Sequence, residues 1–368
     1  MATPTTAAAL PAFTHTPHPA PMAADARGAV LANPGFGTSF SDHMVSIHWD
    51  EAQGWHNPEV LPYGPIALDP AASVLHYAQE IFEGLKAYRF ETGEIALFRP
   101  EANAARFNAS ARRLAMPEIP EALFVEAVTQ LVRADRDWFP TVEGGSLYLR
   151  PFMFASEAFL GVRPSKQYRF LVIASPAGNY FKSGAPAVSL WVSEYSRAAP
   201  GGTGAAKCGG NYAASLVPTA EAFARGHDQV LFLDAVERQW IEELGGMNLF
   251  FVFADGSLIT PPLSGTILPG ITRESLLALA RDEGLAVREE RYSLDQWHAD
   301  ADSGALVETF ACGTAAVVTP VGKVTSSDGE FVIGSGGPGQ TTQKLRQRLV
   351  AIQRGEAPDP HGWVHRIT

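Results

Sequence analysis

The chain has 368 residues, enough for about two domains with separate cores, and its 46% hydrophobic and 18% charged content is that of an ordinary globular protein. A formal net charge of −11 argues against nucleic acid, whose phosphates demand a basic footprint, and no apolar run reaches the length of a membrane-spanning helix. The two cysteines, Cys208 and Cys312, lie far apart; they make no disulfide framework and point to a reducing, cytoplasmic compartment.

In chain order, residues 1–27 are rich in Ala, Pro and Thr and lack the charged start and apolar core of a secretory signal, so they read as a disordered or loosely attached arm. Strands are expected at Val45–Trp49, at Gly64–Leu68, at Glu80–Tyr88 with a kink at Gly84, and at Glu94–Phe98 after a turn at Gly93. Two helices follow, Pro100–Ala115 and Pro120–Trp138, each opening on a proline suited to a first turn. Strands return at Ser146–Arg150 and Tyr168–Ala174. The stretch 175–186 is rich in Gly, Pro, Ala and Asn and reads as an interdomain linker, with Tyr180 and Phe181 on it as a lid, a pocket wall or simple packing. Beyond it, strands are expected at Ala187–Glu194, Gln229–Leu233 and Met247–Phe253, and helices at Asn211–Arg225, Thr272–Glu283 and Thr341–Gln353. The fold class is α+β in two domains, a smaller one over 28–174 and a larger one over 187–368, with small molecules bound in a cleft.

The most informative stretch is Gly201–Tyr212, in which Lys207 sits among Ala, Cys and Gly. Small apolar neighbours lower water contact and favour the free amine, the state Schiff-base chemistry needs; taken alone, a flexible loop with an incidental lysine fits as well. It is not a Walker loop, because Ala206 and Cys208 stand where Gly and Ser or Thr are required. Gly334–Gly339 is interrupted by Pro338 and makes no dinucleotide fingerprint. Glu242 and Glu243 precede a Gly pair and an apolar strand, and a carboxylate entering such a strand needs a partner, such as a protonated ring nitrogen; taken alone, a solvated turn with two surface acids fits the stretch somewhat better. Leu268–Glu274 is a turn feeding a helix, with Thr272 placed to cap it and free N–H groups for an anion. Cys312–Ala316 offers a hydroxyl and unhindered amides. The ten histidines form no metal-type cluster; His361 and His365 have helical spacing, but Pro360 and Gly362 argue against a helix there, so no metal is expected. A lysine, a buried acid and two N–H-rich turns together describe a pyridoxal phosphate pocket.

From about Val45 to Gln353 the sequence resembles the branched-chain amino acid aminotransferases, fold-type IV pyridoxal phosphate enzymes. The resemblance rests on His76-Tyr77, Phe82-Glu83-Gly84, Phe98-Arg99-Pro100, Leu147–Pro151, Lys207–Tyr212, Glu243–Asn248, Leu268–Arg273 and Gly313-Thr314-Ala315, in the family's order. It implies the family's two-domain architecture and reversible amino transfer from L-leucine, L-isoleucine or L-valine to 2-oxoglutarate. It makes Lys207 the lysine that carries the cofactor and moves the proton, Glu243 the partner of the pyridine nitrogen, and Tyr212 the partner of the phenolic oxygen. Arg106, Ile271, Thr272 and Thr314 would hold the phosphate, and Leu268 would pack on the ring. Tyr77 with the amides of Thr314 and Ala315 would meet the substrate carboxylate. Phe82, Tyr148, Tyr180, Met247 and Ala315 would enclose the side chain, and Arg150 would accommodate glutamate's second carboxylate. A homodimer is implied, with Leu160 and Val162 given to the partner's site.

Three departures stand out. Cys312 replaces a Ser or Thr of many relatives, Gly246 replaces a threonine of the mammalian forms, and Ala316 and Thr319 occupy the places of their Cys-x-x-Cys pair, so no thiol switch is expected there. Within the fold type, D-amino acid transaminases, amine transaminases and aminodeoxychorismate lyases are the rival chemistries, and a binding or structural protein that keeps the fold without activity is the rival of another class. Tyr77 with Arg150 and the length of the chain favour the branched-chain form, and the intact set Lys207, Glu243, Tyr212 and Arg106 argues against an inactive fold.

Overall fold

The computed structural model describes residues 10–178 and 187–367. The chain divides into two compact units: the described residues of Met1–Ala87 and Pro100–Gly178, with Ile367, form one, and those of Tyr88–Arg99 and Asn179–Arg366 the other. The segment Tyr88–Arg99 thus groups with the second unit rather than with its sequence neighbours. Both units combine helices with sheet, the α+β class read from the sequence. Among the described residues no helix is long and apolar enough to cross a membrane.

The first unit carries β1 (Thr14–His15), β2 (His43–Asp50), β3 (Gly54–Pro62), β4 (Glu80–Phe82), β5 (Leu85–Arg89) and, after the insertion with β6 (Ile95–Phe98), β7 (Ser146–Ala155) and β8 (Gln167–Ala177). Its sheet runs β1-β3-β2-β8-β7-β5, and β4 also pairs with β7. Alternate residues go to opposite faces of a strand, and both faces here are apolar. Phe170 meets Phe107 of α3 (Pro100–Arg113) and Phe124 of α4 (Glu121–Ala134), with ring centroids 5.5 and 5.8 Å apart. On the other face Met44, Phe154 and Leu171 are covered by Ile66, Leu68 and Val74. Each large side chain buried in this way contributes about 1.5–3 kcal/mol.

That packing corrects the expected strand at Gly64–Leu68. The segment is irregular: Pro65 has no N–H to give a ladder, and Ile66 and Leu68 alternate because they pack on a sheet face. The strand at this point is β3, which tolerates Pro58 because the ladder to β2 shifts register between Ser46 and His48, with Asn57 at positive φ. The arm over 1–27 is also corrected where it is described: β1 pairs in parallel with β3, and α1 (Ala24–Ala32) follows. Met22 N donates to Asp42 Oδ1 at 2.9 Å, and Trp138 Nε1 donates to the other carboxylate oxygen. The linker begins later than residue 175, since Ser175–Ala177 complete β8 opposite Tyr148–Ser146; 179–186 lie outside the described residues. The short α2 (Ser73–Tyr77) ends on Ala78 in the left-handed region.

The second unit holds β6, β9 (Val188–Val192), β10 (Gln229–Leu233), β11 (Ile241–Leu244), β12 (Asn248–Phe253), β13 (Ser257–Thr260), β14 (Ala286–Glu289), β15 (Leu306–Gly313), β16 (Val317–Ser326), β17 (Gly329–Val332) and β18 (Val364–Ile367). Its main sheet runs β11-β10-β9-β16-β15-β12-β13-β14, with β17 beside β16. The unbroken apolar run of β12 signals burial on both faces: Leu249 and Phe251 enter one core with Trp297, while Phe250 and Val252 enter another. That second core is closed by Leu276 and Ala280 of α7 (Ile271–Asp282) and by Leu345, Leu349 and Ile352 of α9 (Gln340–Gln353), the three-and-four spacing of a helix face. The helix expected over Asn211–Arg225 is broken into α5 (Gly209–Ala213) and α6 (Leu216–Ala224). Pro218 has no N–H to offer the carbonyl four residues back, and Ser215 Oγ caps the Tyr212 carbonyl instead at 2.7 Å. Between α7 and α9 lies α8 (Leu294–Ser303), started by Ser293 Oγ accepting from Gln296 N.

Candidate active site

In the second unit Lys207 ends a loop that is tightly cross-braced. Asn211 Nδ2 donates to the carbonyls of Thr203 and Ala206 at 2.8 and 2.9 Å, and Thr203 Oγ1 donates to Asn211 Oδ1 at 2.7 Å. Gly204 is required by close approach: a Cβ there would clash with the Thr266 carbonyl and lie 2.7 Å from Ala198 Cβ. Ala206 and Cys208 are buried and Lys207 between them is half-buried, so the lysine keeps more water contact than its neighbours suggested. Its Nζ donates to Tyr212 Oη at 2.8 Å.

Glu243 lies on β11 and is buried. Its Oε1 accepts from Arg197 Nη2 and, at 3.1 Å, from Leu268 N. Burial pushes the carboxyl up to about 7, against the pull of the Arg197 charge and the Leu268 amide. Arg197 Nη2 also donates to the carbonyls of Gly204 and Thr266, at 3.2 and 3.0 Å. One guanidinium therefore joins the acid to the lysine loop. The partner that a buried carboxylate demands is thus Arg197, which sequence reasoning missed; a lone cation ahead of a small-residue loop, paired with an acid on an apolar strand, was the signal available. Glu242, on the opposite face of the strand, is also buried and pushed up by burial; it takes a hydrogen bond from Thr266 Oγ1.

Of the other expected residues, Leu268 adjoins Glu243 directly. Leu268 is fixed at both ends, its N–H on Glu243 and its carbonyl accepting from Asn248 Nδ2 at 3.1 Å. Gly270 must be glycine because a Cβ would clash with Asn248 Oδ1. Here Thr272 is corrected: α7 begins at Ile271 with Gly270 as its N-cap, so Thr272 is the second helical residue and not the cap. The first N–H groups of a helix have no carbonyl of their own and suit an anion, and Ile271 and Thr272 carry the first two of α7. Arg99, at positive φ, holds this start from below, donating to Ser275 Oγ at 2.9 Å and pairing with Glu274 at 2.9 Å.

The Thr314–Ala316 turn joins β15 to β16, with Gly313 opposite Val317. A Cβ on Gly313 would come within 3.3 Å of the Gly246 carbonyl and of Met247 Cγ, and one on Gly246 would lie 3.9 Å from the Tyr212 ring. Tyr212, Gly246, Met247 and the turn are therefore contiguous. Val317 takes φ 61, a strained value for a β-branched residue. Cys312, one residue before Gly313, points instead into the core with Leu276 and Leu277, and burial pushes its thiol up to about 12. Both cysteines are free and buried. We expect mild oxidant and thiol reagents at pH 8 to leave Cys312 of the native protein unmodified until denaturant is added, as mass spectrometry of the treated protein would read; modification of native protein with loss of activity would contradict it.

In the first unit Glu83 is fully buried and fully used. Arg106 grips it through Nε and Nη2 at 2.7 and 2.8 Å, Asn103 Nδ2 donates at 2.7 Å, and Gly84 N donates at 3.1 Å. Asn103 and Arg106 reach it together because three residues on α3 bring side chains to one face. Tyr148 and Arg150 share a face of β7: Arg150 Nη2 donates to Tyr148 Oη at 3.0 Å, and its guanidinium lies 4.7 Å over the Phe82 ring. Arg150 Nε is buried with no partner among the described residues. Tyr77 is placed elsewhere: it is exposed, its hydroxyl donates to the Leu160 carbonyl, and Leu160 and Val162 beside it are 60% and 88% exposed. Their loop is stiffened by Glu157, which takes Arg163 at 2.8 and 3.0 Å and the Lys166 amide at 2.7 Å. Tyr180 lies outside the described residues.

The chain as a whole is similar to known proteins. The sequence profile of the family described as amino-transferase class IV matches residues 80–324. The branched-chain-amino-acid aminotransferase of Mycolicibacterium smegmatis is 58% identical over 360 residues, covering 96% of this chain and 98% of its own; that of Mycobacterium tuberculosis is 59% identical over 346 residues, covering 93% and 94%. Among solved structures, the branched-chain amino acid aminotransferase from Escherichia coli matches with a TM-score of 0.71 at 30% identity, over 88% of this chain and 99% of its own. The T.th. branched-chain amino acid aminotransferase with pyridoxamine 5'-phosphate matches at 0.72 and 30%, over 88% and 99%.

Proposed function

The chain belongs to the class IV aminotransferases, and from that premise we infer that it is a branched-chain amino acid aminotransferase, moving the amino group of L-leucine, L-isoleucine or L-valine reversibly to 2-oxoglutarate. The observation that carries this reading is near-full-length identity of 58–59% to enzymes of that name, joined to Lys207, Tyr212, Glu243 and Leu268 in one contiguous cluster.

The donor set fits pyridoxal phosphate: an amine, a buried acid near neutrality, and a helix start suited to a dianion. When bound, that cofactor supplies an aldehyde carbon for the substrate nitrogen and a ring that accepts electrons. Glu243, tied to Arg197, holds a proton on the pyridine nitrogen. Tyr212, bonded to Lys207 Nζ, serves the phenolic oxygen and orients the amine. Lys207 is the base that takes the substrate's α-carbon proton and returns it in the reverse direction. Ile271, Thr272 and Thr314 would hold the phosphate and Leu268 the ring face; the family pattern adds Arg106, whose Nε and Nη2 donate to Glu83.

For the substrate, the family pattern assigns Phe82, Tyr148, Tyr180, Met247 and Ala315 to the side chain and the amides of Thr314 and Ala315 to the α-carboxylate. Arg150 answers the second carboxylate of glutamate; its unpartnered Nε supports this role. Tyr77 is the substrate-carboxylate residue of this reading. Because its hydroxyl is bonded to Leu160, it accompanies Leu160 and Val162 to whichever subunit's site they serve. A cytoplasmic homodimer is proposed, on two free cysteines and on a stiff loop tipped by exposed apolar side chains.

A panel of amino donors with 2-oxoglutarate tests the function. L-leucine, L-isoleucine and L-valine should be turned over, with D-alanine and aryl amines at least about a hundredfold slower. Preference for D-alanine or an amine would overturn the reading.

A further inference from the structure

Gly84 sits at the kink between β4 and β5, and nothing in its own backbone requires glycine, since its φ is not in the left-handed region. What excludes a side chain is Tyr148. A Cβ at Gly84 would overlap the Tyr148 hydroxyl and lie 3.0 Å from Cζ and 3.4 Å from Cε2, where real Cβ atoms essentially never come under 3.0 Å. The backbone at Gly84 has little room to retreat. Its N–H donates to Glu83 Oε2 and its carbonyl accepts from Asn103 Nδ2 at 3.3 Å, while Glu83 is itself clamped by Arg106. Any side chain at residue 84 must therefore push the half-buried Tyr148 ring aside.

The Tyr148 hydroxyl is also what Arg150 leans on, through the 3.0 Å bond from Nη2, with the guanidinium 4.7 Å over Phe82 and 5.5 Å over the Tyr148 ring. We propose that Gly84 is a specificity-determining position: by carrying no side chain it lets the Tyr148 hydroxyl lie against the backbone, and that hydroxyl sets Arg150 for a second carboxylate. The proposal rests on the reading above in which Arg150 receives glutamate. Its content is an asymmetry between the two half reactions. A branched aliphatic chain needs only an apolar wall, which a tilted ring still provides. A dicarboxylate needs a guanidinium in place, and a displacement of about 1 Å at such a contact is costly.

The test separates the half reactions. Holoenzyme of the wild type, Gly84→Ala, Tyr148→Phe and the double variant are mixed in single turnovers with L-leucine and with L-glutamate, and the two specificity constants are compared. Gly84→Ala should lower the glutamate constant about tenfold more than the leucine constant, chiefly through weaker binding rather than a slower step. In the Tyr148→Phe background, where the overlapping atom is gone, the same substitution should change the glutamate constant by less than about threefold. Equal losses for the two substrates, or an undiminished loss in the Tyr148→Phe background, would overturn the proposal. If Gly84→Ala fails to accumulate, Tyr148→Phe must restore it, and failure to restore likewise overturns it. A wild type inert towards leucine would instead defeat the functional reading, which the same data distinguish.

Discussion

Lys207→Ala should reduce turnover of L-leucine by at least about 10,000-fold, since it removes both the covalent anchor and the base. The lysine-dependent visible absorbance of the bound cofactor should vanish with it. On the proposed reading the start of α7 and the 314–316 turn hold the phosphate, so the cofactor itself should still bind, and equilibrium dialysis of pyridoxal phosphate separates a lost site from a lost amine. Tyr212→Phe is the graded comparison. It deletes the 2.8 Å partner of Nζ and should cost about tenfold, the worth of one hydrogen bond. A Lys207→Ala enzyme that keeps both turnover and absorbance would remove the lysine from the mechanism. The loop makes the prediction sharp. Asn211 and Gly204 fix the backbone on either side of Lys207, so deleting the side chain should leave its surroundings in place.

Much of this site is legible in the sequence, and the part that is not has physical reasons. Lys207, Tyr212 and Asn211 lie within a few residues, so local spacing places them together. Glu243 stands before an apolar strand, but its stretch alone fits a solvated turn as readily, and the family resemblance is what singles it out. Its partner Arg197 does not, because the pair forms only when β11 and the segment before the lysine loop are brought together, and no periodicity encodes that contact. Thr272 has the composition of a cap, yet the close fit of Gly270 on Asn248 moves the helix start one residue earlier. The strand expected at Gly64–Leu68 fails for a related reason: alternation reports which side chains face a core, not whether the backbone has a neighbour to bond. The described part of the 1–27 arm departs oppositely, since its short pairing to β3 and its helix draw on partners elsewhere in the unit rather than on local propensity.

Arg197→Leu should destabilise the second unit by about 3–5 kcal/mol by urea denaturation above pH 7, because it leaves the buried Glu243 carboxyl without its partner. The same change frees the carbonyls of Gly204 and Thr266, which adds to the loss and loosens the lysine loop. Adding Glu243→Leu should restore most of the stability while leaving the enzyme inactive, since an apolar pair of similar volume replaces a buried ion pair at little cost. A double variant no more stable than the single would show that the carbonyls, not the acid, carry the effect. The pH dependence gives an independent check. Glu243 binds its proton more tightly folded than unfolded, so its contribution is fully present below about 4.5 and is lost as pH rises through about 7. In the wild type that loss ends near 7, because Arg197 opposes the burial. Without Arg197 the carboxyl holds its proton to higher pH, so the stability of Arg197→Leu should go on falling above pH 7, where the wild type has levelled off. The double variant has no carboxyl there to titrate, and its stability should not show this component at all.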